Sequence, residues 1–499
     1  MRLLIIFFIF LFFTKGYAND MELSGIDISQ FNEEFKPQDD FYDYVNHNWL
    51  SKTEIPDDQI GWGSYMTLRE ESLQNQNILI NALIKNKDKL IASSEEEKIA
   101  NLYLSYTNRD LVNRLGSLPL SDDIEAIKNI KNKKDLWKYF SESEKKGMSS
   151  PIYFAVYDDL KDPLNYTIYF GQSGLGLPDR DYYLLDQPHY MKGREEYPIH
   201  LSNLFDLSGL DNANERASNA FDVETELAKI QISRTERRDP EKTYNPMNVN
   251  DLDALSNSNF NLWLKNLAIE SYDRYIIESP KYLEDLSNLI DEIPVDQWKD
   301  YLLARLVKSA SGSLSDDFVD ESYRFSSILT GREEMPALWK RSVGIVNGLL
   351  GDALGKIYVK NHFPPEYKQK MVELIDNLLE SFRIGIEDLE WMSEETKKRA
   401  LVKLEKLNVK IGYPEVWKDY NGLEFSDNDL YGNIKAASEF GYKDALKKLS
   451  EKVDRKRWAM SPQTVNAYFS PTKNEIVFPA AYLQPPNFFP NADDAVNYG

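Results

Sequence analysis

From about Thr67 onward, apolar and polar residues alternate with a period near 3.6, which predicts helices over most of the chain. Ile99, Leu102, Tyr103 and Tyr106 share one face behind the acidic turn 95–97, whose charges suit the positive end of a helix dipole. The pattern resumes over residues 214–234 and 295–306. It is strongest after Pro364 and Pro365, where Met371, Leu374, Ile375, Leu378, Phe382, Ile386 and Leu389 predict a long amphipathic helix packed on others. Ser393 is placed to cap a further helix with Glu394 and Glu395 in its first turn and Ala400, Leu401, Leu404 and Leu407 inward. Those two glutamates read as cap charges, not catalytic acids.

Three stretches break the helical pattern. Near the start, Asp39 and Asp40 suit the N-terminus of a short helix whose Phe41, Tyr44 and Trp49 read as packing residues. Between Pro151 and Tyr183, SPIYFAVYDD and LNYTIYFGQ alternate like a hairpin, and SGLGLPDRDYY is punctuated by glycine. The glycines of 171–178 match neither a P-loop nor a dinucleotide fingerprint, so they read as a structural turn. The last stretch, 465–499, changes to strand-like patterning around an SPTKN turn and ends in a proline-broken loop. Asn466, Ala467, Tyr468 and Phe469 form a candidate edge strand, able to grip an extended peptide by its backbone.

Composition narrows the function. A chain of 499 residues exceeds what one core usually organises, so more than one lobe is expected. The formal charge of −22 argues against a nucleic-acid partner, which requires clustered Lys and Arg. Arg2, the apolar run 3–13 and small residues at Gly16 and Ala18 predict a signal peptide over 1–18, followed by an extended arm over 19–36. The run is too short to anchor the chain stably in a membrane. With no cysteine, the expected setting is bacterial export, periplasmic or secreted. The four histidines, His47, His189, His200 and His362, include no pair at H-E-x-x-H spacing, and no serine elbow is present.

The blocks DDFYDYVNHNW, GLGLPDRDYY, ERRDPEKTYNPM, VNGLLGDALGKIYVKNHFPP, LEWMSEETKKRA, KIGYPEVWKDY and NAYFSPTKNEIVFPAAYLQPP together resemble the neprilysin and endothelin-converting-enzyme family of zinc metallopeptidases. The resemblance runs from about Asp39 to Gly499. It implies a mainly α, two-lobed architecture with a large helical lobe, small β elements and an incomplete catalytic lobe, which would leave the edge of the 466–469 strand and the loop residues Phe488 and Phe489 without partners. The change of character near IGYPEVW, 411–417, places the boundary between an N-terminal helical peptidase domain over 37–414 and the start of a catalytic domain over 415–499.

The resemblance further assigns Asn466 and Ala467 to hydrogen-bonding the substrate backbone, and Arg69 to the C-terminal carboxylate of a peptide. Gly61 stands where a second arginine would assist, so a strict preference for free C-termini is not implied, and an ion pair with a nearby acid is an equal reading of Arg69. Phe469 replaces a common tyrosine and Ala481 a common glycine. The family's H-E-x-x-H helix and glutamate ligand have no counterpart before Gly499, so zinc is implied for the full-length enzyme and no catalytic or metal-binding residue is carried over to this chain. Oligopeptides are the implied substrates, with these 499 residues inactive alone. A non-enzymatic, exported peptide-binding protein is the alternative, and a carboxylate-based hydrolase a third.

Overall fold

The computed structural model describes residues 25–256 and 259–499. The signal peptide read over 1–18 lies outside them. The described chain is predominantly helical, with two small sheets. The elements that matter here are, in order, α1 (Phe41–Leu50), α2 (Ser64–Lys85), α3 (Glu95–Thr107), α4 (Lys133–Lys145), β1 (Ile152–Asp158), β2 (Tyr166–Gln172), α5 (Pro188–Leu207), α6 (Ala213–Ile230), β3 (Asn245–Met247) and β4 (Tyr275–Ile277). They continue with α7 (Pro280–Glu292), α8 (Val295–Ala310), α9 (Asp316–Thr330), α10 (Leu338–His362), α11 (Pro365–Asp388), α12 (Glu394–Glu405), β5 (Asn408–Gly412), α13 (Leu430–Lys448), β6 (Tyr468–Ser470) and β7 (Glu475–Pro479).

These elements form two compact units. One contains residues up to Lys89, Trp339–Asp419 and Arg455–Gly499; the other contains Leu90–Leu338 and Tyr420–Asp454.

The second unit is built on a four-stranded sheet of order β1-β2-β4-β3. The hairpin expected from sequence forms in antiparallel register, with Ile152 opposite Gln172 and Val156 opposite Ile168. Its period of two sends Ile152, Val156, Ile168 and Phe170 inward and leaves Tyr153 and Tyr157 exposed. Phe170 stacks on Tyr275 of β4, and Trp263 meets Phe170 edge-on at 4.9 Å between centroids. Helices α4, α5, α6, α7 and α8 bury their apolar faces in this same core. Helix α3 starts behind Ser94, whose hydroxyl accepts from the Glu97 amide, and Ile99, Leu102, Tyr103 and Tyr106 are all buried, on the face its sequence predicts.

In the first unit, β5, β7 and β6 form a sheet in that order, with β5 parallel and β6 antiparallel to β7. Lys410 on β5 and Glu475 on β7 pair at 2.8 Å with their side chains 7% and 1% exposed. Such burial is tolerated because both charges are further satisfied: Lys410 also donates to the Arg457 carbonyl, and Glu475 accepts from the Asn408 amide. Ser393 caps α12 by accepting from the Thr396 amide, as its sequence predicts.

Several packing expectations need correction. Helix α11 forms, yet only Met371 and Ile375 of its predicted stripe are buried, and Phe382 is 62% exposed. Periodicity fixes which residues share a face, not whether a neighbour covers that face along its whole length. Asp40 caps α1, but Phe41 is 66% exposed and Trp49 only half-buried. Phe488 and Phe489 have partners after all: both are buried, and Phe488 packs with Phe363, Met371, Ile411 and Leu483. The loop folds back onto α11 and β5, which a local reading of a proline-rich segment does not reveal.

Candidate functional site

The residues ahead of β6 are held by two helices of the first unit. Along α2 the positions Leu68, Ser72, Gln76 and Ile80 recur every four residues, and all four are buried. Two polar residues in the middle of an apolar stripe must find partners, because burying an unpaired polar group is costly. They find them across the chain. The Ser72 hydroxyl donates to the Gln463 carbonyl at 2.9 Å and accepts from the Gln76 side chain at 3.0 Å. Gln76 in turn accepts from Asn347 of α10 at 2.6 Å. The Gln463 side-chain amide closes the circuit by donating to Asn347 at 2.7 Å and to the Gly351 carbonyl at 2.8 Å.

Helix α10 is shaped to receive this segment. It bends at Leu350, whose backbone leaves helical values, next to the Gly351 carbonyl that Gln463 uses. One turn further, a Cβ on Gly355 would lie 2.7 Å from the Pro462 ring, so only glycine permits this approach. On the other flank the Tyr65 hydroxyl donates to the Val465 carbonyl, and Leu68, Tyr358, Val465 and Ala481 form one small apolar cluster.

Residues 461–465 are thus fixed between α2 and α10, and the chain beyond them is presented outward. Asn466 is exposed and Ala467 half-buried. Both precede β6 rather than belonging to it, since strand pairing begins with Tyr468 opposite Val477. The Asn466 side-chain oxygen accepts from the Ala467 amide at 2.8 Å, so a peptide that takes the Ala467 amide must displace this contact. Among the described residues no further strand pairs with β6, so its outer edge is open. Tyr468 anchors the strand: its oxygen accepts from the Ala459 amide at 3.0 Å, and burial pushes its phenol up to about 12. Phe469, alternating to the other face, is 54% exposed.

Arg69 is exposed on α2, one residue after Leu68. It carries no hydrogen bond or ion pair among the described residues, which leaves its guanidinium available. Arg69, Asn466 and Ala467 therefore sit on two segments of one unit that are bonded to each other through Tyr65 and Ser72. Ser72, Gln76, Asn347 and Gln463 escape the sequence reading. The signal that points to two of them is the polar interruption of the stripe on α2.

The histidines are dispersed. His47 faces Asp43 at 3.6 Å, His200 is buried against Glu321, and His362 ends α10 beside Tyr358. Among the described residues no three His, Asp or Glu side chains are grouped to hold a metal ion. No helix among them is long and apolar enough to cross a membrane.

Residues 37–414 and 466–499 match Peptidase family M13. The human protein named membrane metallo-endopeptidase-like 1 is 29% identical over 93% of this chain and 64% of its own length. The neutral endopeptidase of Lactobacillus helveticus is 29% identical over 95% of this chain and 74% of its own. The solved structure of the Mycobacterium tuberculosis zinc metalloprotease Zmp1 with an inhibitor superposes with a TM-score of 0.89 at 34% identity, covering 95% of this chain and 72% of that one. The chain thus spans roughly two-thirds to three-quarters of these relatives' lengths. On the breadth of the match, the chain is a member of Peptidase family M13.

Proposed function

We propose that this chain is the peptide-holding portion of a zinc-dependent endopeptidase acting on oligopeptides. The supporting observation is the segment 461–465, fixed between α2 and α10 so that Asn466 and Ala467 stand at the mouth of an open strand edge. An extended peptide would add along that edge by main-chain hydrogen bonds. The Asn466 carboxamide would turn from the Ala467 amide to the peptide backbone, and the small Ala467 side chain would allow close approach. Arg69, uncommitted on α2, would receive a terminal carboxylate in the bidentate geometry guanidinium favours.

Bound zinc supplies the activation of water in such enzymes. The described residues of this chain do not group into a ligand set for it, so no hydrolytic step is assigned to them. Export to a bacterial periplasm or exterior belongs to the same proposal, supported by the residues at the start of the chain.

The test is fluorescence anisotropy with a labelled decapeptide, in free-acid and amidated forms, against the whole chain. Asn466→Ala and Ala467→Phe should each weaken binding by about tenfold, as expected for losing a hydrogen bond to the peptide backbone or its close approach. Arg69→Met should weaken the free acid more than the amide. Equal binding by all variants would remove the strand from the mechanism.

A further inference from the structure

The second unit contains a cleft of about 540 Å³ whose walls are β2, the loop after it, and the residues after α6. Its polar lining includes Tyr153, Gln172, Arg180, Gln231, Arg234 and Arg237. Three guanidinium groups thus line one cleft in a protein of net charge −22. Asp179 also lines the cleft, and Glu278 pairs with Arg237 at 2.6 Å, so the balance of these five groups is one positive charge. Arg180 donates to the Gln231 carbonyl and is held in place. Arg234 is exposed and has no hydrogen bond or ion pair among the described residues.

The walls are rigidly built. Gln172 donates to the Ile232 carbonyl at 2.9 Å and accepts from its amide at 2.8 Å, tying the end of β2 to the segment after α6. Gln231 donates to the Ser173 carbonyl at 2.9 Å. Beneath the glycine loop lies Glu224, fully buried, which accepts from the Gly176 amide at 2.9 Å and from the Tyr183 and Tyr197 hydroxyls. Tyr301 donates to the Gly174 carbonyl at 3.0 Å. Gly174 has a positive φ of 91°, and a Cβ on Gly176 would collide with the Tyr197 hydroxyl, so the loop's glycines are required by this buried support. The loop is therefore a fixed wall, as its sequence suggested, and the wall of a cation-lined cleft.

We propose that this cleft of the second unit binds carboxylate groups of an acidic peptide segment. Guanidinium groups favour oxyanions through paired N–H donors, and carboxylate and phosphate share that chemistry. The size of the cleft decides between them: it matches pockets that take drug-sized organic ligands and far exceeds a single inorganic ion. Leu175, Leu177 and Ile232 on the same walls offer apolar contact to the methylene groups of such a peptide. Because the chain as a whole repels polyanions, retention of an acidic peptide requires a local site of this kind.

The experiment measures anisotropy of fluorescein-labelled hexaglutamate and hexaglutamine with the whole chain, with inorganic phosphate as competitor. Hexaglutamate should bind and hexaglutamine should not. Arg234→Gln, which breaks no internal bond, should weaken hexaglutamate about tenfold, the scale of one charge-assisted contact, with unfolding temperature unchanged. Raising salt from about 50 to 300 mM should weaken it further. Equal binding of the two peptides, or wild-type affinity in Arg234→Gln, overturns the proposal. Phosphate competing as strongly as the peptide would show an ion site only and overturn it as well. Asn466→Ala should leave hexaglutamate binding intact, which separates failure of the strand proposal from failure of this one.

Discussion

The Ser72 hydroxyl on α2 donates to the main-chain carbonyl of Gln463, 391 positions later, at 2.9 Å in a fully buried contact. One hydroxyl thus ties the start of the first unit to the segment that presents Asn466. Ser72→Ala leaves the Gln463 carbonyl and the Gln76 amide short of a partner in the interior, at a cost of about 1–3 kcal/mol. Chemical denaturation should show that loss. Decapeptide affinity should fall with it, because the segment ahead of Asn466 loses its tether. An unchanged denaturation midpoint would mean the contact is dispensable.

Two glycines of α10 provide a matched pair. A Cβ on Gly355 would lie 2.7 Å from Pro462 Cδ and 2.9 Å from Gln463, whereas a Cβ on Gly344 would meet nothing within 4 Å. Gly355→Ala should therefore destabilise by about 1–3 kcal/mol through overpacking. Gly344→Ala should stabilise by up to about 1 kcal/mol, because alanine loses less backbone entropy in a helix interior. Opposite signs in thermal unfolding are the expected result. The same sign for both would show that segment 461–465 yields freely.

Much of this architecture is legible in the chain, and the reasons differ by element. Helix α3 and the hairpin β1–β2 are readable because local patterning, capping and core burial agree there. The acidic turn 95–97, Ile99 and Leu102 all point the same way, as do Ile152 and Ile168. Helix α11 is half legible: its stripe is real, but burial of Phe382 depends on what packs there, which sequence spacing does not encode. The resemblance leads to Asn466 and Ala467, yet not to their support. Ser72, Gln76, Asn347 and Gln463 meet only through contacts spanning hundreds of positions, and no short-range pattern specifies such partners.

The pair of Lys410 and Glu475 yields a sharper stability test. With both side chains under a tenth exposed and 2.8 Å apart, Glu475→Gln leaves a lysine charge buried without its counterion. The expected cost is about 3–5 kcal/mol. Lys410→Met combined with Glu475→Leu should recover most of it, since an apolar pair of similar volume removes both desolvation penalties. If the double variant is no better than Glu475→Gln in urea denaturation, the pair acts through its bonds to Asn408 and the Arg457 carbonyl instead.

The contact between His200 and Glu321 predicts how stability responds to acid. His200 is buried on α5, stacked on Phe325 at 4.6 Å, and its Nδ1 lies 2.8 Å from Glu321 on α9. Burial alone would raise the Glu321 carboxyl, but hydrogen bonds from His200, Arg324 and Asn203 outweigh it and hold the group at about 2. The His200 imidazole is pushed below its ordinary value, first by burial, with the charges of Lys308 and Arg324 adding to it and the Glu321 contact opposing. For both groups the unfolded chain takes up protons before the native state does, so stability rises with pH. The Glu321 contribution is complete above its unfolded value near 4.5 and is lost as pH falls from there toward 2. His200 begins to penalise the native state below about 6.5, where the unfolded imidazole protonates. The thermal midpoint of Glu321→Gln should therefore lie below wild type at pH 7, with the gap closing between about pH 4.5 and 2. The gap for His200→Asn should begin to narrow earlier, below about pH 6.5. Differential scanning calorimetry across that range checks both, and a gap that stays constant with pH in either variant would show that the contact does not couple protonation to folding.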